Sequence, residues 1–199
     1  MFGGLGFVTV TLILACCKDI SGQSLGFGKC PSYPAMKKLD LRKFEGKWYE
    51  VERSFYMMEM FASCTSLNFT ATPSGTLKVI VKHINRLSGN PSVSLGTALP
   101  VTSGGAELNY RGDTRLPSAV ARMMPGSGVY RVLDTDYDNY AILWSCSNLG
   151  IMHADLIWVL GRDRELPVQA RASVYNRLSE LKLDSDRLVL TRQKSCPVF

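Results

Sequence analysis

The sequence has few of the residues that build catalytic and metal sites. It contains two histidines among 199 residues, and none of its six cysteines forms a CxxC pair. A zinc site would therefore have to form without the usual local ligand spacing. No paired carboxylates, glycine-rich phosphate loop or Ser-His-Asp order stands out either. These absences argue against an enzyme and against a bound metal or other resident cofactor.

Runs of one charge are also missing. The net charge is +6 at pH 7, with 23 lysines and arginines and 17 aspartates and glutamates spread along the chain. A nucleic-acid-binding protein would gather its basic residues in one stretch or on one face. The composition therefore argues against nucleic acid as a partner and leaves contact with an acidic surface open.

Long hydrophobic runs are absent except near the amino terminus. Residues 5–15 form a short apolar run that ends in small residues and is too short to span a bilayer comfortably. We predict that residues 1–22 are a secretory signal peptide and that residues 23–199 form a single domain. A lipidation box at Cys16 is the alternative, but no basic residue precedes the run. The mature protein is expected to be secreted and extracellular.

Four cysteines remain once that segment is removed: Cys30, Cys64, Cys146 and Cys196. An even number in an exported domain predicts two disulfides. A bridge from an early to a late cysteine closes a very long loop, which in the chain-entropy model contributes roughly 4 to 5 kcal/mol through the unfolded state. The spacing alone does not decide which cysteines pair.

Short stretches of alternating apolar and polar residues follow one another along most of the chain. Leu77, Val79 and Val81 alternate with Lys78 and Lys82, directly after a turn sequence. Such alternation predicts strands at 48–55, 64–72, 77–83, 92–101, 106–111, 128–134, 140–147 and 153–162. Eight short strands predict an all-β fold, an eight-stranded antiparallel up-and-down β-barrel whose interior holds one ligand.

One stretch, residues 167–183, has helical rather than alternating spacing. Pro167 suits a first helical turn. The stretch predicts a C-terminal α-helix packed outside the barrel through one apolar face: Val168, Ala172, Tyr175, Leu178 and Leu181.

The alternation also predicts which side chains face the barrel interior. The sequon Asn68-Phe69-Thr70 predicts glycosylation of Asn68, which must then face solvent, so Leu67 and Phe69 face inward. Core packing is the alternative role for each inward residue, and an unused sequon is the alternative for Asn68. The outward set is Lys78, Lys82, Glu107, Asn109, Arg131 and Asp155. The predicted ligand-binding set is Phe69, Val79, Val81, His83, Leu108, Tyr110, Tyr130, Leu143, Leu156 and Trp158.

Six of the eight methionines gather in three predicted connections between strands. In an up-and-down barrel these connections open on the same end, so the methionines are predicted to ring the pocket mouth. Flexible thioethers suit an adaptable lid or a rim that touches a lipid or lipoprotein surface. The alternatives are a lid folded over its own apolar residues and an antioxidant whose thioethers reduce lipid hydroperoxides. The rim residues are Met57, Met58, Met60, Met123, Met124 and Met152.

Three motifs occur in an order that resembles the lipocalin family. They are Gly46-Lys47-Trp48 at the first strand, Thr135-Asp136-Tyr137 before the seventh, and Arg162 at the end of the eighth. In lipocalins the tryptophan closes the base of the barrel and the arginine packs across it, an arrangement that a cation–π contact favours. The resemblance therefore implies a structural role for Gly46, Trp48, Thr135, Asp136, Tyr137 and Arg162.

Further strings resemble the lipocalin subfamily of apolipoprotein D, lazarillo and the insect bilin-binding proteins. They are Gly28-Lys29-Cys30-Pro31, the extension of the first motif to Glu52, the extension of the second to Ala141, Ser145-Cys146 and Ser195-Cys196-Pro197. The resemblance implies the disulfides Cys30–Cys146 and Cys64–Cys196. With both formed, no free thiol remains for the isomerase chemistry of some lipocalins.

The same resemblance implies a carrier function. The expected ligand is a small hydrophobic molecule such as a fatty acid, sterol or retinoid, and biliverdin is the alternative. Lipocalins commonly contact receptors as well as ligands, so a receptor is a further candidate partner.

Overall fold

The computed structural model describes residues 24–55, 61–113 and 128–197. In these ranges the chain forms ten strands and two helices: β1 (Ser24–Phe27), α1 (Leu41–Phe44), β2 (Gly46–Ser54), β3 (Ala62–Ala71), β4 (Leu77–Asn85), β5 (Pro91–Pro100), β6 (Glu107–Gly112), β7 (Gly128–Thr135), β8 (Tyr140–Leu149), β9 (Met152–Gly161), α2 (Val168–Glu180) and β10 (Leu188–Leu190). Neither of these helices is long and apolar enough to cross a membrane.

Strands β2 to β9 form the barrel. Each pairs antiparallel with its neighbour in sequence, and β9 also pairs with β2, so the sheet closes on itself. The predicted strands match these eight within two residues at each end. The prediction of an eight-stranded antiparallel barrel with one C-terminal helix is confirmed.

Two hydrophobic clusters lie on opposite sides of the barrel wall. The interior cluster includes Trp48, Leu143 and Trp158, whereas Ile142 and Ile157 belong to the cluster between the wall and α2. Because successive strand residues face opposite sides, β8 and β9 are apolar on both faces where α2 covers them. This burial on both faces explains the nearly continuous apolar runs of these two strands.

The predicted face of α2 is wrong for most of its residues. The buried residues of the helix are Ala170, Val174 and Leu178, whereas Val168 is 86% exposed. Ala172 and Tyr175 are also exposed, and Leu181 is partly buried. The two faces have the same helical period, so periodicity alone did not separate them. Placing small Ala170 and Val174 against the wall lets the helix axis approach the sheet closely.

Two short strands extend the wall at its open end and were not predicted. Strand β1 pairs with residues 152–155 of β9. Strand β10 pairs with residues 52–54 of β2, on the edge that β3 leaves after pairing with residues 46–49. Strands of four and three residues contain too few alternations to be recognised in a sequence.

The two disulfides join Cys30 with Cys146 and Cys64 with Cys196, which is the pairing that the resemblance implied. The first attaches the amino-terminal arm to β8. The second attaches the carboxy-terminal tail to β3, where the Cys64 amide also donates to the Arg192 carbonyl at 2.8 Å. Both chain ends are therefore fastened to the barrel wall.

Candidate ligand-binding site

One end of the barrel is closed by Trp48 and Arg162. The guanidinium carbon of Arg162 lies 3.8 Å from the centroid of the fully buried Trp48 ring. The indole N–H of Trp48 donates to the Phe44 carbonyl at 2.9 Å, which attaches α1 beneath the barrel. Arg162 also donates to four backbone carbonyls, those of Lys43, Glu45, Lys47 and Tyr137. Arg162 thus joins three chain segments and closes this end to a ligand.

The Thr135-Asp136-Tyr137 motif forms the turn between β7 and β8 at the same end. The Thr135 hydroxyl donates to the Tyr140 carbonyl at 2.6 Å and accepts the Tyr137 amide at 2.9 Å. Burial alone would raise the pKa of Asp136, but hydrogen bonds from the amides of Asp138, Asn139 and Tyr140 and from the Asn139 side chain lower it below its ordinary value. Its carboxylate is thereby held charged as the acceptor of this turn.

The barrel interior contains the predicted ligand-binding residues. All of them except His83 belong to the interior cluster, either buried in it or packed against it. Trp158 and Leu143 are buried, whereas Tyr110 and Tyr130 are partly exposed within the barrel. The structure therefore brings these side chains together as the lining of one interior.

Aromatic rings cover one side of this lining. The Tyr130 ring lies 5.9 Å from the Tyr110 ring, nearly perpendicular to it, and 5.2 Å from the Trp158 ring. A Cβ atom on Gly96 would clash with the Tyr110 side chain, so the absence of a side chain at Gly96 makes room for the tyrosine. Burial raises the pKa of Tyr110, which keeps its hydroxyl protonated as a donor at neutral pH.

The inner face of β5 consists of small residues, a feature that the sequence prediction missed. Ala98 and Gly96 face inward, and the alternation of the strand places Ser94 and Ser92 on the same face. This face leaves room beside the larger side chains of β4. The sequence pattern that could have predicted this face is a small residue at every second position of the strand.

His83 lies on the inner face of β4 toward the open end, opposite Ser92 of β5. Burial lowers the pKa of His83 below 6.5, and Arg53 lowers it further, whereas Glu50 opposes the shift. The imidazole is therefore neutral at pH 7, with one nitrogen able to donate and the other able to accept. It adds a polar, uncharged group to a mostly apolar interior.

A buried ion pair on β2 also faces inward, and sequence reasoning missed it. Glu50 pairs with Arg53, and their register partners on β9 are the interior residues Leu160 and Trp158. The Thr191 hydroxyl donates to the Glu50 carboxylate at 2.7 Å. Two charged residues near the first motif gave no signal in the sequence, because charge in a strand usually indicates the outer face.

The C-terminal tail completes the wall beside this ion pair. The Gln193 side-chain amide donates to the Glu50 carbonyl at 2.9 Å and to the Thr65 carbonyl at 2.7 Å. These two carbonyls belong to β2 and β3, at the position where the two strands separate. One glutamine side chain therefore bridges the gap that the diverging strands leave.

The open end is lined by exposed apolar side chains. Met152 is half-buried and pairs with exposed Phe27, and Leu149 at the end of β8 and Ile151 in the turn before β9 are also exposed. Met57, Met58 and Met60, and likewise Met123 and Met124, lie outside the described residues. The methionine rim and its antioxidant alternative therefore stay predictions.

Asn68 and Asp155 both lie on the outer face of the barrel but differ in exposure. Asn68 is partly exposed between Leu67 and Phe69, both of which contribute to the interior cluster. Asp155 lies outside the wall as predicted, but it is buried there rather than solvated. Arg187 binds both of its carboxylate oxygens at 2.7 and 2.9 Å, because the chain after α2 covers this side of the barrel.

Within the part of the chain that the structure describes, no cluster of three or more metal-ligating side chains occurs. Every cysteine of those ranges is in a disulfide.

The closed base, the open opposite end and the lined interior define a ligand-binding β-barrel, and comparison with known proteins gives its family. The model of the lipocalin / cytosolic fatty-acid binding protein family matches residues 45–195, and the chain belongs to this family. Apolipoprotein D from Cavia porcellus is 32% identical over 197 residues, covering 98% of this chain and 99% of that relative. The predicted resemblance is thus confirmed.

Two further comparisons extend this result. The bilin-binding protein of Pieris brassicae is 29% identical over 188 residues, covering 89% of this chain and 91% of that relative. Among solved structures, insecticyanin from the tobacco hornworm Manduca sexta matches with a TM-score of 0.74 at 20% identity, covering 87% of this chain and 91% of that one. At that identity the likeness supports the fold alone.

Proposed function

We propose that the protein is a secreted carrier that holds one small hydrophobic molecule inside its barrel. The observation that carries the proposal is an interior lined by apolar and aromatic residues, closed below by Trp48 and Arg162 and widened by the small inner face of β5. Burial of a ligand there gains about 25 cal/mol per Å² of apolar surface removed from water. Carriage of this kind needs no covalent chemistry.

The proposed ligand is a fatty acid, sterol, retinoid or similar lipid with a polar end. Relatives named apolipoprotein D support a lipid. Neutral His83 and the protonated hydroxyl of Tyr110 support an uncharged hydrogen-bonding group at the polar end of the ligand. A relative named bilin-binding protein supports biliverdin as the second candidate.

Secretion is part of the proposal. Two disulfides favour an oxidising compartment, and the predicted signal peptide and predicted glycosylation of Asn68 agree with export. A receptor that takes up the loaded carrier is a further proposed partner, in keeping with the common behaviour of the family.

The test is native mass spectrometry of the protein purified from its own source, with identification of the small molecules that it releases. We expect one hydrophobic molecule per chain, and the same molecule should quench Trp158 fluorescence when it is added to stripped protein. A blue protein that releases a bilin would select the second candidate. A barrel that is empty and whose fluorescence does not respond to a lipid panel would contradict the proposed function.

A matched pair of variants on β5 locates the binding. Ser94→Trp adds a large ring to the inner face and should abolish binding by filling the interior. Thr97→Trp adds the same ring to the outer, exposed face of the same strand and should leave binding unchanged. Equal loss in both variants would show that the ligand does not occupy the barrel interior.

A further inference from the structure

Strand β5 has its large apolar side chains on the outside of the barrel. Val93, Leu95, Leu99 and Val101, on β5 and directly after it, are 58%, 49%, 51% and 53% exposed, whereas the inner face carries the small residues described above. A barrel strand with one face in water normally has the opposite arrangement. These four side chains, here called the β5 ridge, run along the strand on the outer wall.

Basic residues lie on both sides of the β5 ridge. Thr97, at its centre, pairs with Lys78 on β4 and with Arg111 on β6, so the three exposed side chains form one row across the wall. Lys82 on β4 is partly exposed and is the register partner of Val93.

The acidic residues on this side leave the surface positive. Glu107 is paired with Arg131 at 2.7 Å. Among the described residues beside the ridge, Asp113 is an exposed carboxylate, and its amide donates to the Leu95 carbonyl. The two exposed cations Lys78 and Arg111 outweigh it, so the apolar ridge lies in a positive surface.

The curvature of the barrel places the apolar residues above the charges. Each of eight strands occupies one eighth of the circumference, so the outer faces of β4 and β6 are turned by about 45° to either side of β5. The β5 ridge is therefore the crest, with cations on its two slopes. Long basic side chains on such slopes reach the plane of the crest with their charged ends.

We infer that the β5 ridge docks the barrel on its side onto an anionic lipid surface. Valine and leucine side chains would enter the boundary between head groups and acyl chains, while Lys78 and Arg111 would bind lipid phosphates or carboxylates. Exposed apolar residues ringed by polar ones mark interaction surfaces of this kind. This contact is separate from the open end, where ligand enters.

A second copy of the chain fits the β5 ridge less well. Two convex crests touch along a line and bury little area. A two-fold axis through Thr97 would also place the basic row of one copy against the same row of the other, which is repulsive. A flat surface of opposite charge avoids both problems.

The predicted glycan at Asn68 is compatible with this orientation. Asn68 lies on β3, two strands from β5, and its register partner on β4 is Ile80. Two strands correspond to about a quarter of the circumference of an eight-stranded barrel. A glycan there would therefore extend roughly parallel to the lipid surface and not into it.

The experiment is co-sedimentation of the complete secreted protein with vesicles of phosphatidylcholine, with and without phosphatidylserine. We expect binding to the anionic vesicles that weakens as salt is added. The double variant L95S/L99S should bind about tenfold less, because it removes two partly inserted leucines. The control V168S/L190S removes two exposed apolar side chains elsewhere on the surface and should bind as the wild type does.

A charge variant tests the electrostatic part of the proposed contact, in which basic side chains bind anionic lipid. K78Q/R111Q should weaken binding to anionic vesicles by about fivefold or more per removed charge and should reduce the salt dependence. All variants should still respond to the lipid panel in Trp158 fluorescence. That response separates loss of docking from misfolding and from failure of the proposed carrier function.

Three results would overturn the inference. The first is a wild type that binds no vesicle. The second is an L95S/L99S variant that binds vesicles as well as the wild type does. The third is a wild type that is dimeric by analytical ultracentrifugation and becomes monomeric in L95S/L99S without vesicle binding, which would assign the ridge to a second copy.

Discussion

At the scale of single residues, His83 connects the polarity of the barrel interior with the stability of the fold. Its ring is half-buried, and burial is the main reason that its pKa lies below 6.5. The unfolded chain therefore binds a proton on His83 at a pH where the folded chain does not. Stability from the neutral ring is complete above the ordinary histidine pKa and is lost as the pH falls from there toward the folded pKa.

We predict that His83→Gln reduces the loss of stability at acid pH. The free energy of unfolding should fall less between about pH 7.5 and about pH 5.5 in the variant than in the wild type, because glutamine does not titrate. Urea unfolding at the two pH values measures this difference. If the free energy of unfolding falls as much in His83→Gln as in the wild type, His83 is not the source of the acid sensitivity.

Residue positions that depend on alternation were predictable, and those that depend on distant partners were not. Phe69, Val79 and Trp158 lie in the interior because strand neighbours face opposite sides. Inward Glu50 was unpredictable because the Thr191 hydroxyl that stabilises its carboxylate comes from a tail far along the chain. No local pattern contains that pairing.

At the scale of elements, the buried and the exposed apolar residues of α2 should contribute differently to stability. We predict that Val174→Ala lowers the free energy of unfolding by about 1 to 2 kcal/mol. The Val174 side chain is fully buried, so removal of its methyl groups leaves a cavity. The matched change Val168→Ala should stay within about 0.5 kcal/mol, since that side chain lies in water. Chemical denaturation of both variants gives the comparison. A larger loss of stability in Val168→Ala than in Val174→Ala would favour the helix face that the sequence predicted.

Elements were predictable in proportion to their length. Strands of six to ten residues repeat their alternation often enough to be recognised, and a helix of thirteen residues shows its period. Strand β10 has three residues and forms only because residues 52–54 of β2 have no neighbour on that edge once β3 diverges. Its existence is a property of the assembled sheet.

At the scale of the whole molecule, the two disulfides close loops of similar length but support different parts of the site. Their sequence separations are 116 and 132 residues, so the chain-entropy model gives each about the same contribution, roughly 4 to 5 kcal/mol. Only Cys64–Cys196 holds the tail that bridges β2 and β3 beside the interior. Their effects on ligand binding should therefore differ.

We predict that C64A/C196A loses more ligand affinity than C30A/C146A, although both lose similar stability. Titration of Trp158 fluorescence with the identified ligand measures affinity, and urea unfolding measures stability. Equal affinities in the two variants would show that the tail does not contribute to the interior wall. An intact affinity in both would limit the bridges to a stabilising role.

The hydrogen bonds of Gln193 also mean that the barrel wall is completed only after the C-terminal tail has been synthesised. Synthesis proceeds from the amino terminus, so all eight barrel strands have left the ribosome before the residues that fill the gap between β2 and β3. A product that stops short of Gln193 lacks both this seal and Cys196, the partner of Cys64. Its Cys64 thiol stays open to thiol–disulfide exchange, whereas a chain that includes Cys196 holds Cys64 in a disulfide.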